Sequence, residues 1–278
     1  MRIVIAAMLL LLSQPVFAFG KTGHQLVCDL AYQLVDSDTK IKLDTLLKPA
    51  PDTKFSNACS WPDEVRSQEA FKWSEPHHYV NMARGETAVS MQHCPAQGCI
   101  LSAISDMQQR LTKSPADWQA LLFLAHHMAD LHQPLHVSFA DDLGGNRTAV
   151  YFFGQPNNLH GVWDFALLKQ LGYETEPTKA NALLAQISQE QRLAWQQGDV
   201  LSWANESAAI TVEIYQHYKP GMLLDESYVR HYQPVLEQRL QQAAVRLAML
   251  LEQLLQQALH EYRARAHGEP CRCVRYRA

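Results

Sequence analysis

The sequence has no surplus of positive charge. Its 278 residues hold 24 Lys and Arg against 28 Asp and Glu, a formal net charge of −4 with histidine neutral. That excludes a chain that grips nucleic acid through a generic polybasic surface. Charged residues are few, 19% against 47% hydrophobic, which is the composition of a folded chain and not of a disordered one. No apolar run reaches the ~20 residues that span a bilayer. There is no internal repeat and no linker long enough to divide the chain, and its length is ample for a single core. What the chain does have is 13 His and 6 Cys, enough to make a transition-metal site worth seeking.

The first eighteen residues read as a leader. Arg2 precedes the apolar run Ile3–Leu12, and Val16 and Ala18 occupy the small-residue positions before a secretory cleavage site. A signal anchor or a buried helix is the alternative. Cleavage after Ala18 starts the mature chain at Phe19, leaves one domain over 19–278 and sends it to the periplasm or outside the cell, with no membrane attachment. Residues 263–278 form a tail in which Arg263, Arg265, Arg272, Arg275 and Arg277 face only Glu269, read as a solvated basic segment. All six cysteines lie in the mature part, where export permits disulfides. Cys94 and Cys99 close a short loop and form the natural local pair. Cys271 and Cys273 are too close to pair comfortably with each other. The pairing of Cys28, Cys59, Cys271 and Cys273 stays open.

Helical periodicity dominates. Helices are predicted at Thr22–Val35, Thr39–Leu47, Ser60–Gln68, Ile100–Leu111, Ala116–Leu131, His160–Leu171, Leu201–Tyr218 and Pro234–Arg265. The last carries an apolar stripe of Leu236, Leu240, Ala243, Leu247, Leu250, Leu254 and Ala258. Its Gln-rich polar face lacks an ordered charge pattern, so packing on the protein's own core is expected over a coiled-coil dimer. Val150–Phe153 is a candidate strand after the Gly144-Gly145 turn. The fold class is therefore all-α, a mainly helical single domain with a short β-hairpin at most.

Chemistry concentrates in FLAHHMADLHQPLHVSFADDLGGN, residues 123–146. His126 and Asp130 are four apart and share a helix face. Pro134 breaks the helix, which lets His136 turn back toward the same cavity. A second pair, His160 and Asp164, has the same spacing in NLHGVWD. One such pair is ordinarily a surface hydrogen bond. Two pairs beside a Pro-turned histidine suit a divalent zinc, for which imidazole and carboxylate are good ligands. His127 and His132 are equal candidates by composition. His127 lies about 100° round the helix from His126 and is expected to be structural or to support a ligand.

With these pieces in order, the chain resembles the zinc-dependent single-strand nucleases and 3′-nucleotidases, the class I nucleases of fungi, plants and bacteria, which share a helical fold with the zinc phospholipases C. The resemblance rests on FGKTGH at the mature start, WPDEVR (61–66), HYVN (78–81), HxxxDxxxxxH (126–136), GGN (144–146), NLHxVWD (158–164) and WANES (203–207). It implies three zincs. The first is held by Asp63, His78, His126 and Asp130. The second lies apart on His136, His160 and Asp164. The third takes the amino nitrogen and carbonyl oxygen of Phe19, with His24 and a bridging Asp130. Such a cluster stays locally positive for a phosphate despite the acidic protein. The family usually begins with Trp, and here Phe19 stands in that place, which leaves the ligating backbone atoms unchanged. The late pair Cys271 and Cys273 is a second departure.

The resemblance implies a secreted or periplasmic hydrolase that cuts single-stranded DNA or RNA to 5′-nucleotides and removes phosphate from 3′-nucleotides. Asp63 would orient the attacking water. Arg66, three residues on, would clamp the phosphate, or else pair with a neighbouring Glu. Asn146 would touch phosphate, or else stabilise its turn. Tyr79 would stack on a base while Asn81 reads its edge, or Tyr79 is simply core. Substrates are the only implied partners, and the chain is expected to be a monomer. The rival readings are a zinc phospholipase C, which resembles His/Glu and not His/Asp at the late ligand pair, and a zinc-binding protein without turnover.

Overall fold

The computed structural model describes the backbone of residues 19–176 and 178–266, with side chains to residue 256. The expected leader, the basic tail beyond 266, and Cys271 and Cys273 lie outside the described residues.

Element order runs α1 (Gly20–Leu34), α2 (Ser37–Leu46), α3 (Phe55–Ala58), α4 (Trp61–Val65), a 3₁₀ segment (Glu69–His78) and β1 (Val80–Met82). It continues through α5 (Ile100–Lys113), α6 (Trp118–His132), a 3₁₀ turn (Pro134–His136), β2 (Val137–Phe139), β3 (Ala149–Phe152) and β4 (Gln155–Asn158). Next come α7 (Leu159–Gly161), a π-helical turn (Val162–Ala166), α8 (Leu167–Gln170), α9 (Thr178–Ala185) and α10 (Gln189–Trp195). The chain closes with α11 (Val200–His217), β5 (Leu223–Leu224) and α12 (Glu226–Ala266). The fold is the expected mainly helical one. The expected hairpin is β3–β4, to which β5 adds in parallel, while β1 and β2 form a separate parallel pair.

Helix starts follow local capping chemistry. The Asp36 carboxylate accepts from the Thr39 amide at the start of α2, and Asp117 accepts from the Ala120 amide at the start of α6. Asp199 and Ser202 form a capping box on α11. Ser188 and Gln191 do the same on α10, a start signal legible in the sequence but not used above.

Three helix readings are corrected. The segment after His160 is not one regular helix but is interrupted by the π-turn carrying Asp164. Helix α4 stops at Val65, short of Gln68. Helix α12 begins at Glu226, and Pro234 lies inside it. Proline removes one helical hydrogen bond, but Pro234 and Arg230, whose carbonyl loses that partner, are both exposed.

The core is built on α6, whose Ala120–His132 are all buried, a helix apolar on every side and hence enclosed. Helix α12 crosses α6 and α1, burying Leu236, Leu240, Ala243, Leu247, Leu250 and Leu254, the stripe expected from its periodicity. Among the described residues no helix is long and apolar enough to cross a membrane.

Two disulfides are present among the described residues. Cys94 pairs with Cys99, as expected, and Cys28 pairs with Cys59. The second ties α1 to the turn before α4, with both cysteines fully buried. Closing a loop of that length removes denatured-state freedom, typically worth about 2–4 kcal/mol. Cys28→Ala/Cys59→Ala should therefore lower the urea midpoint and raise the m-value, because the freed denatured chain exposes more surface. An unaltered midpoint would show that the crosslink does not stabilise the fold.

Candidate metal centre

Each ligand candidate is delivered by a different structural device. Helix α6 presents His126 and Asp130 one turn apart. Proline at 134 then forces the chain into the 3₁₀ turn that carries His136. Strand β1 lies parallel to β2 with Val80 opposite Val137. That register sets His78 and His136, at the strand entrances, side by side, and His136 Nδ1 donates to the His78 carbonyl at 2.7 Å. Asp63 comes from the first turn of α4, and His24 from α1.

Three imidazoles share one orientation. His126 Nδ1 donates to the Cys59 carbonyl at 2.8 Å, and His160 Nδ1 donates to the Gly144 carbonyl at 2.8 Å, alongside the His136 bond. An Nδ1–H held by a backbone carbonyl fixes the tautomer and leaves Nε2 as the inward lone pair, the usual support of a metal-binding histidine. Gly144 can turn this carbonyl inward because it adopts φ 64°, and a Cβ there would lie 2.5 Å from the Leu135 oxygen.

The inward atoms converge in two places. His126 Nε2 lies 3.3 Å from Asp130 Oδ2 and 3.7 Å from Asp63 Oδ1. His78 Nδ1 is 2.9 Å from Asp130 Oδ2, and His24 Nε2 is 3.3 Å from Asp130 Oδ1. The rings of His24 and His126 stack at 3.7 Å. In the second place, Asp164 lies 3.0 Å from His160 Nε2 and 3.5 Å from His136 Nε2. Potential ligand atoms lie within 4.8 Å of one another in His24/His126/Asp130, in Asp63/His78/His126, in His78/His127/Asp130 and in His136/His160/Asp164.

Phe19 is fully buried with its ring edge-on to His24, and its nitrogen donates to Asp164 Oδ1 at 3.1 Å. Phe19 thus meets the centre through Asp164. Gly23 makes room for it, since a Cβ there would stand 1.9 Å from the Phe19 ring.

Burying three carboxylates is costly unless cations or hydrogen bonds compensate. Burial opposes ionisation of Asp130, yet His126, His136 and His24 hold its carboxyl well below the usual range. Burial likewise opposes ionisation of Asp164, and His160 and His136 outweigh it. Burial resists charge on His136 too, but Asp130 and Asp164 push it up to about 9. Asp63 Oδ1, Asp130 Oδ1 and His78 Nε2 are buried without a hydrogen bond. Carboxylate oxygens and imidazole nitrogens gathered in sets of three are the donor set a divalent transition metal takes.

His78, His136 and His160 form the inner wall of a surface cavity of about 280 Å³. Arg66, Tyr79, Asn81 and Asn146, all singled out from the sequence, line its mouth. Tyr79 is 44% exposed and so is not a core residue. Arg66 pairs with Asp63 Oδ1 at 3.4 Å and with no glutamate. Asn146 Nδ2 donates to the Leu143 carbonyl, so it does stabilise its turn, while its side chain still borders the cavity. Glu75 and Leu143 also line the mouth and were not foreseen. Leu143 holds φ 56°, an uncommon conformation for a branched residue. Its place before two glycines was the available signal.

His127 is buried, with neither ring nitrogen hydrogen-bonded, among Phe123, His77 and His78. Burial first, and then the neighbouring imidazoles, hold it well below the usual histidine pKa. His132 faces away from the centre and binds Arg246.

The fold and site thus define a helical protein with a buried imidazole–carboxylate centre that opens into a surface cavity. The sequence profile of the S1/P1 nucleases matches residues 19–256, and the chain belongs to the S1/P1 nuclease family. It is 31% identical to Endonuclease 5 of Arabidopsis thaliana, covering 91% of this chain and 97% of the relative. It is 27% identical to Nuclease S1 of Aspergillus oryzae over 91% of this chain and 97% of that protein. Nuclease P1 of Penicillium citrinum is also 27% identical, over 79% of this chain and 90% of its own length.

A metal that binds only the folded chain stabilises it by mass action, by ~4 kcal/mol at a thousand times its dissociation constant. Chelator should therefore lower the melting temperature of the purified protein, and Zn²⁺ should restore it. A melting temperature indifferent to both treatments would leave the centre without a metal.

Proposed function

We propose that the protein is a zinc-dependent nuclease of the periplasm or extracellular space, made with a cleaved leader over residues 1–18 and a single catalytic domain from Phe19. It cuts single-stranded DNA or RNA to 5′-nucleotides and releases phosphate from 3′-nucleotides. The observation that carries this reading is the convergence of buried His and Asp side chains behind a cavity that His78, His136 and His160 line together with Arg66, Tyr79, Asn81 and Asn146. Family membership, the nuclease names of its relatives and the two disulfides support it.

Three zincs are proposed. Asp63, His78, His126 and Asp130 hold the first, and His136, His160 and Asp164 the second. His24 and Asp130 hold the third together with the amino nitrogen and carbonyl of Phe19. Zinc so held supplies Lewis acidity: it brings the pKa of water toward neutrality and draws in the phosphate. Asp63, ion-paired with the cavity-lining Arg66, is the carboxylate that orients the attacking water. Arg66 forms an ion pair with Asp63, and its five N–H donors are available to the phosphate oxygens. Tyr79 offers an exposed ring for a base, and Asn81 beside it offers an amide for the base edge. A stacked, paired base cannot reach that ring, which favours single strands. The chain acts as a monomer whose partners are its substrates.

The direct test is a metal count and a rate on single-stranded and duplex DNA, before and after chelation. About three zincs per chain, preference for the single strand, and loss of activity that Zn²⁺ reverses are expected. Asp130→Asn should lose both metal and turnover. Asp106→Asn, on α5 outside the centre, should keep both. Full activity of metal-free protein, or equal behaviour of the two variants, would sink the reading.

Two further variants should fail in opposite ways. Tyr79→Ala should keep its zinc but weaken single-strand binding by about 1–3 kcal/mol, measured by titration with an uncleavable oligonucleotide. A Met placed before Phe19 turns its amine into an amide, a poor zinc ligand. That protein should fold, hold less zinc and turn over slowly. Equal rates for processed and Met-extended protein, checked by mass spectrometry, would remove Phe19 from the site.

A further inference from the structure

WANES (203–207) is the sequence motif that supplies neither a ligand candidate nor a residue of the cavity. It lies on α11, behind the centre, against the point where α6 breaks. A helix ends with carbonyls that have no intrahelical partner, and here they are buried and must be satisfied. Ser207 Oγ donates to the Leu131 carbonyl at 2.5 Å, and Thr211 Oγ1, one turn on, donates to the Pro134 carbonyl at 2.5 Å. Arg239 Nε from α12 donates to the His132 carbonyl at 3.3 Å. Side chains of α11 and α12 thus hold the backbone at three points between Asp130 and His136.

The holding groups are themselves held. Arg246 donates from both terminal nitrogens to Glu206, at 2.6 and 2.7 Å, and Arg239 donates to the same carboxylate at 2.5 Å. Arg239 also donates to Ser207 Oγ at 2.7 Å, and Arg246 lies over the Trp203 ring. Arg246 reaches His132 Nε2 at 2.9 Å. A guanidinium only donates, so His132 Nε2 accepts, and its Nδ1–H donates to the Met128 carbonyl at 2.7 Å. Both arginines are 2% exposed, and Glu206 is the carboxylate that neutralises them. Two buried cations on one acid is an expensive arrangement for holding helices together, since apolar packing does that as well or better. It does provide directed donors at a break where the chain must reverse within six residues.

We propose that Glu206, Arg239 and Arg246 are positioning residues for the metal centre. Through His132, Ser207 and the carbonyls at the end of α6, they set the angle between Asp130 and His136. These two residues belong to different metal groups, so the network governs how the groups face each other. This inference rests on the metal reading above.

The test uses mature, processed protein carrying Arg246→Lys or Glu206→Gln. Lysine keeps the charge but loses the fork, and glutamine keeps the shape but loses the charge. Leu43→Ala, a core truncation in α2 remote from the centre, serves as the comparator for simple destabilisation. Supporting contacts of this kind commonly govern metal affinity by about 10–100-fold. Both network variants should fold by circular dichroism and yield zinc to a chromophoric chelator about 10–100-fold more readily. They should also shift the visible bands of cobalt-substituted protein and lose kcat more than KM. Leu43→Ala should lower the melting temperature and change neither zinc affinity nor the cobalt bands. Wild-type zinc affinity and cobalt bands in the network variants would overturn the inference. A wild-type protein that binds neither metal would overturn the metal reading instead. If Arg246→Lys does not fold, Glu206→Gln, whose side chain is 39% exposed, decides the question alone.

Discussion

Asp130 is the constraint on which the rest of the structure depends. It is a fully buried carboxylate in the last turn of the most apolar helix, facing four imidazoles from four separate segments. An ionised group in that position is tolerable only if its surroundings are arranged around it. His24 arrives on α1, His78 ahead of β1, His126 from one turn back and His136 after the proline break. Under the proposed reading, the one residue that two metals share is fully buried from water.

A second layer of order lies behind the imidazoles. Three of them give Nδ1–H to a backbone carbonyl: Cys59, His78 and Gly144. Each acceptor is fixed by something other than the centre. Cys59 is held by its disulfide to Cys28, His78 by the parallel register of β1 on β2, and Gly144 by a left-handed turn that its lack of a side chain allows. The disulfide therefore does more than crosslink the chain, since it anchors the carbonyl that aims His126. In the same way, α11 and α12 anchor the broken end of α6.

Under the proposed reading, the arrangement also separates binding from chemistry. The ligand candidates are buried, whereas Tyr79, Asn81, Arg66 and Asn146 ring an open mouth. Arg66 joins the two zones through its pair with Asp63, and His78, His136 and His160 border both. A group that must meet solvent-borne substrate can be mobile, while one that shares a metal cannot, and the gradient of burial follows that division.

Local chemistry in the sequence determined much of this. The 3.6-residue period placed the main helices, because amphipathic faces repeat whatever the fold does with them. The i,i+4 spacing paired His126 with Asp130 and His160 with Asp164. Pro134 marked the break that turns His136, and the ordered motifs pointed to the family. The tertiary structure alone decided what depends on segments far apart in the chain. That includes the Cys28–Cys59 pair, the parallel register joining His78 to His136, and the buried Arg239–Glu206–Arg246 network that a polar helix face gave no reason to expect. It also includes the departures from regular helix, the π-turn at Asp164 and the passage of α12 through Pro234. Periodicity records which residues face inward, but a strained turn or a tolerated proline depends on which groups remain to satisfy the backbone. That is settled only when the distant partners arrive.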